Sequence, residues 1–127
     1  MPIFTHATVG TNDQERSTAF YDSVLGTLGI NNLGKMGDGA TMYGIKIPEF
    51  LVFTPIDGQS ATVGNGVTIG FSAPSRDAVE KFHAAGLAAG GSCVGEPGPR
   101  TITPTAYAAY LRDPDGNKIC AYCFAAE

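Results

Sequence analysis

The feature that most restricts how this chain can fold is a weak copy of itself displaced by 62 residues: under that shift Val9 falls on Phe71, Phe20 on Phe82, Leu25 on Leu87 and Gly29 on Gly91, while His6 falls on Thr68. Self-similarity at a fixed offset implies one supersecondary unit used twice. A single domain over residues 1–127 is expected, built from two half-domains of one plan, residues 1–58 and 64–127. Its 127 residues suffice to bury a core without disulfide or metal staples.

In the first half "PIFTHATVG" alternates as a strand, with Ile3, Ala7 and Val9 on one face and Phe4, His6 and Thr8 on the other. "TNDQERSTAFYDSVLGTLG" reads as a helix capped by Asn12 or Asp13, with Phe20, Val24 and Leu28 at helical spacing. Strands are expected near 31–37, 40–47 and 50–56. In the second half "GVTIGFSA" sets Val67, Ile69 and Phe71 against Thr68, Gly70 and Ser72, and Ser75 can cap a helix carrying Val79, Phe82 and Leu87. A short strand near 92–95, the loop "GEPGPRTITPT" and two strands flanking the hairpin turn "DPDGN" complete it. Each half reads βαβββ. The expected class is α+β: two tandem βαβββ modules, their mixed sheets curled as a half-barrel around a central groove, helices outside.

A net charge of −4 with scattered Lys and Arg offers no basic stripe, so no nucleic-acid partner is expected. No apolar run approaches the roughly 20 residues of a membrane span, and "MPIFTHATVG" lacks the basic and apolar regions of a signal peptide. A cytoplasmic protein without a membrane partner is expected. Its three cysteines, Cys93, Cys120 and Cys123, are then reduced thiols.

Cys120 and Cys123 look like a Cys-x-x-Cys pair, but on a strand residues i and i+3 face opposite ways. Cys120 should share the groove face with Tyr122, and Cys123 should lie with Ile119 and Ala121 under a helix. "GKMGDG" reads as a hairpin, not a phosphate cradle, and His83, on a helix with Arg76 and Glu80, as a solvated residue. Arg100, in a Pro/Gly loop beside the groove, could grip a carboxylate or phosphate if it is not simply a surface charge. Tyr107, Tyr110 and Tyr122 either line a pocket or fill the half-barrel.

"HATVGTNDQERSTAFYDSVLGTLG", "GNGVTIGFSAPSRDAVEKFHAAGLAAGG" and "AAYLRDPDGNKI" together resemble the vicinal oxygen chelate superfamily of glyoxalase I, bleomycin-resistance proteins, fosfomycin-resistance enzymes and extradiol dioxygenases; "GEPGPR" also resembles bacterial glyoxalase-like members. The resemblance implies a site where a divalent metal (Zn, Ni, Fe or Mn) is held by His, Gln or Glu from the first and fourth strands of each module. Carried over, those positions are His6, Leu51, Thr68 and Cys120, so only His6 and Cys120 offer metal-binding atoms and no complete metal set is expected. Two functions follow from the resemblance. One is a protein that binds or sequesters a small molecule in a groove formed by His6, Leu51, Thr68, Arg100, Tyr107, Cys120 and Tyr122, with no catalytic residue assigned. The other is a metal-dependent lactoylglutathione lyase-like or dioxygenase-like enzyme with an atypical ligand set. A homodimer is implied in either case.

Overall fold

Along residues 2–126, which the computed structural model describes, the chain runs β1 (Ala7–Gly10), α1 (Gln14–Gly26), β2 (Asn31–Lys35), β3 (Ala40–Gly44), β4 (Phe50–Phe53), β5 (Ile69–Ser72), α2 (Arg76–Ala88), β6 (Ser92–Pro99), β7 (Tyr107–Arg112) and β8 (Lys118–Cys123). The copy visible in the sequence is a copy of structure: β5 and α2 begin 62 residues after β1 and α1, and both helices have 13 residues. Both are capped alike. Asp13 accepts a hydrogen bond from the Arg16 amide and Ser75 from the Ala78 amide, and Glu15 and Asp77 place negative charge in the first turns.

The strands form two separate four-stranded mixed sheets, ordered β1-β4-β3-β2 and β5-β8-β7-β6. In each, one parallel pair, β1/β4 or β5/β8, adjoins antiparallel pairs. This is the expected α+β pair of βαβββ modules, and the sheets do not close into a barrel. Val9, Tyr43, Phe50 and Val52 of the first sheet and Phe71, Leu111, Ile119 and Cys123 of the second face the helices, where Phe20, Tyr21, Val24, Leu25, Val79 and Phe82 complete one core. No helix among the described residues is long and apolar enough to cross a membrane.

Three expectations need correction, two about single residues and one about a strand. Leu87 is 45% exposed, and Gly86 takes the inward position instead, because a Cβ there would lie 2.3 Å from Leu111 Cδ1. His83 is only 5% exposed and not solvated. Strand β6 extends to Pro99, well past residue 95, with breaks in its register against β7 between Cys93 and Gly95 and between Gly95 and Gly98.

The "DPDGN" turn does more than reverse the chain. Asp113 accepts from the Asp115 and Asn117 amides, from Asn117 Nδ2 and, at 2.6 Å, from the hydroxyl of Tyr21 on α1. Asp115 accepts from Thr11 Oγ1, the Asn12 amide and Arg16 Nη2, and Asn117 Nδ2 also donates to the Gly10 carbonyl. The closing hairpin of the second module thus latches onto the β1–α1 corner of the first.

Candidate functional site

Ala109 and Leu111 of β7 and Ile119, Ala121 and Cys123 of β8 belong to the core beneath the helices. Alternation therefore turns Tyr110, Cys120 and Tyr122 to the other face of the second sheet. The hydroxyls of Tyr110 and Tyr122 share a hydrogen bond, with the rings edge to face at 5.9 Å between centroids. Cys120 stands opposite Tyr110 on one side and Gly70 on the other, and its Sγ lies 3.4 Å from where a Cβ on Gly70 would be. Thr68 is exposed and lies just before β5, two residues ahead of Gly70.

Cys120 is 3% exposed, and burial pushes its thiol from 9.0 up to about 11; the Tyr110 hydroxyl, Lys118 and Arg100 offset only part of the rise. The group is a protonated thiol at neutral pH and a poor nucleophile. Burial raises the Tyr110 phenol as well, and its bond to Tyr122 adds to the effect. Alkylation by iodoacetamide, followed by mass spectrometry, should therefore modify exposed Cys93 fast and Cys120 slowly, with the Cys120 rate rising about tenfold per pH unit until about pH 11. Because folding raises this pKa, the protonated thiol contributes stability below pH 9.0 that is lost as pH climbs toward about 11. A Cys120 rate that levels off near pH 8 would contradict the buried placement.

Arg100 follows β6 directly. Its guanidinium donates to the carbonyls of Glu96 (2.8 Å), Gly98 (2.9 Å) and Pro99 (3.2 Å) and lies over the Tyr110 ring at 5.5 Å. Lys118 Nζ lies 5.3 Å from the same ring centre. Among the described residues neither cation has an ion-pair partner. A pair of phenols over a buried thiol is thus flanked by two uncompensated positive charges.

The remaining expected residues lie elsewhere. Leu51 is buried in the first sheet opposite Thr8. His6 is exposed, just ahead of β1, with Nδ1 3.0 Å from Thr5 Oγ1. It lines a cleft of about 330 Å³ with Phe4, Glu49, Ile45 and β5 residues Ile69–Ser72, a lining that includes neither Cys120 nor either phenol. Tyr107 departs most from expectation: it lies on the helix side, where its hydroxyl donates to Glu80 Oε2 at 2.6 Å and the Arg76 guanidinium covers its ring at 4.9 Å. The Glu80 bond raises its phenol pKa. Tyr107 and Tyr110 are three residues apart on a strand, so the alternation that separates Cys120 from Cys123 separates them too. Two residues outside the expected set adjoin these sites: Lys118, two residues before Cys120, lies over the Tyr110 ring, and Glu49 lines the His6 cleft, preceding β4 as His6 precedes β1, with the Ala7 amide bonded to its carbonyl.

This architecture has known counterparts. The family profile of the Glyoxalase/Bleomycin resistance protein/Dioxygenase superfamily matches residues 3–121. A glyoxalase/bleomycin resistance protein of Albidiferax ferrireducens T118 is 50% identical, with a TM-score of 0.85 over 95% of this chain and 98% of that one. A glyoxalase-related enzyme from Fulvimarina pelagi shares the fold at 18% identity and a TM-score of 0.72, covering 96% and 88% of the two chains. The E144Q mutant of maize (Zea mays) glyoxalase I does so at 21% and 0.63, over 92% of this chain and 45% of that one. No curated protein matches the sequence. With the profile spanning nearly the whole chain and one relative matching half its residues, the chain belongs to the glyoxalase/bleomycin resistance protein/dioxygenase superfamily.

Proposed function

We propose that this superfamily member binds a small molecule against the Tyr110–Cys120–Tyr122 face and does so without a resident metal. The observation that carries the reading is the pairing of two phenols with two cations, Arg100 and Lys118, that have no carboxylate partner among the described residues. Aromatic edges suit a flat, amphipathic ligand, and a guanidinium fixed by three carbonyls is preorganised to grip an anionic group on it.

A divalent metal does not fit the four positions where the family would hold one. Catalytic metals need about three strong donors with one position left open. Here Leu51 has no donor atom, Thr68 has only a neutral hydroxyl, and His6 lines a cleft whose lining does not include Cys120. The alternative, a metal-dependent glyoxalase-like lyase or dioxygenase with an atypical ligand set, draws on one observation: His6 and Glu49 line the same cleft, an imidazole with a carboxylate.

Calorimetric titration of chelator-treated protein with a panel of aromatic carboxylates separates the two. Binding should survive EDTA and weaken at least about tenfold in Arg100→Ala, the loss expected for a charge-assisted hydrogen bond. Turnover of a methylglyoxal–thiol adduct or a catechol that appears only with Ni²⁺, Zn²⁺, Fe²⁺ or Mn²⁺ and disappears in His6→Ala would overturn the metal-free reading.

A further inference from the structure

A second constellation lies away from the phenol face, between helix α2 and the outer strand β6. A ring nitrogen of His83, Cys93 Sγ and a Glu96 carboxylate oxygen all lie within 4.8 Å of one another. We propose that these three side chains form a zinc site, with a fourth position open to water.

The imidazole is the first reason. His83 is 5% exposed, and its Nε2 is buried with no hydrogen-bond partner among the described residues. A buried polar nitrogen without a partner is costly, and native proteins rarely leave one so. Its neighbours in this cluster are two side chains that can both carry negative charge and reach solvent, since Cys93 and Glu96 are exposed.

The backbone is the second. On a regular strand Cys93 and Glu96, three residues apart, would face opposite ways, as Cys120 and Cys123 do. The register of β6 against β7 slips between Cys93 and Gly95 and again between Gly95 and Gly98, and a slip of this kind re-aims side chains. Its result is a Cys93 Sγ to Glu96 Oε1 distance of 3.6 Å. Two ligands on a tetrahedral zinc, with a Zn–S bond of about 2.3 Å and a Zn–O bond of about 2.0 Å, stand about 3.5 Å apart. The sulfur and carboxylate are already at ligand spacing, and a ring nitrogen of His83 lies within 4.8 Å of both.

The donor set selects the ion. Thiolate, imidazole and carboxylate together suit zinc, whereas magnesium, calcium and manganese prefer all-oxygen shells. Once Cys93 gives up its proton to water, one thiolate and one carboxylate neutralise Zn²⁺, so the occupied, partly buried site carries no net charge. Glu96 belongs to both regions of the second sheet: its carboxylate faces the zinc cluster while its backbone carbonyl accepts from Arg100.

Untagged, reduced protein is stripped with chelator, titrated with Zn²⁺ and with Co²⁺, and compared with Cys93→Ser, Glu96→Gln and Cys120→Ser. One zinc per chain is expected, with a raised melting temperature, a thiolate-to-cobalt charge-transfer band in the Co²⁺ form, and at least tenfold slower alkylation of Cys93 when zinc is bound. Cys93→Ser and Glu96→Gln should each weaken zinc at least tenfold and leave metal-free stability unchanged, both side chains being exposed, while Cys120→Ser binds normally. No stoichiometric zinc, equal binding by Cys93→Ser, or loss in Cys120→Ser instead would overturn the assignment.

Discussion

Asp113→Ala should lower the melting temperature by on the order of 10 °C, since losses of about 3–4 kcal/mol follow when a buried, fully bonded carboxylate is removed. Asp113 is 4% exposed and accepts four hydrogen bonds. Alanine leaves the hydroxyl of Tyr21, itself fully buried, facing an empty space, and frees the two amides that shape the turn. Each unsatisfied buried group costs about 1–3 kcal/mol. The turn also holds Asp115 and Asn117 in place against Thr11, Arg16 and Gly10, so loosening it weakens the junction of the two modules. Asp113→Asn keeps one acceptor oxygen and should lose about half as much. Removing the exposed Asp77–Lys81 pair by Asp77→Ala makes a useful contrast: its carboxylate side chain is 69% exposed, and such pairs are worth under about 1 kcal/mol. If Asp113→Ala and Asp77→Ala shift calorimetric melting equally, the hairpin is a turn and not a clamp.

Much of the fold could be read from residue order alone, for reasons specific to each element. The 62-residue offset is carried by short-range signals, a capped helix after a strand, which local sequence encodes well. Cys120 and Cys123 could be assigned to opposite faces because β8 pairs with β7 over six residues without a register shift. Strand β6 defeats the same reasoning, since its slips at Gly95 depend on how β7 lies beside it, and the approach of Cys93 to Glu96 appears only once that pairing exists. The carboxylates of "DPDGN" announce a tight turn, yet their partners Tyr21 and Thr11 are 92 and 104 residues away. Leu87 fits the helical period better than Gly86, but Leu111 occupies the space above Gly86 and reverses the choice. The shared facing of Cys120 and Tyr122 could be read from strand alternation, whereas the placing of His6 in a separate cleft depends on how the two sheets pack and could not.

Restoring the donors that the family would place on the second module should create a metal site where none is proposed. In a Cys93→Ser background, which removes the other thiol donor, the double variant Thr68→His/Cys120→Glu should bind Ni²⁺ or Zn²⁺ about a hundredfold more tightly than the background alone, since even outer-shell partners are worth about 10- to 100-fold. Position 68 lies two residues before Gly70, and Gly70 pairs with Cys120, so continuing the β5 alternation by one residue would put the new imidazole and carboxylate on one face. The phenols of Tyr110 and Tyr122 can donate to a carboxylate there, and Lys118 and Arg100 lie close enough to offset its burial. Cys120→Glu alone should gain far less, because a single carboxylate in that setting bonds to the phenols and cations before it binds a metal. Cys123→Glu serves as the opposite control: Cys123 is 2% exposed within the helix-covered core, so a carboxylate there should cost several kcal/mol and attract no metal. A double variant that folds with unchanged metal affinity would show that residues 68 and 120 do not converge, and with that the face carrying Tyr110 and Tyr122 would lose its claim to be the counterpart of the family's metal site.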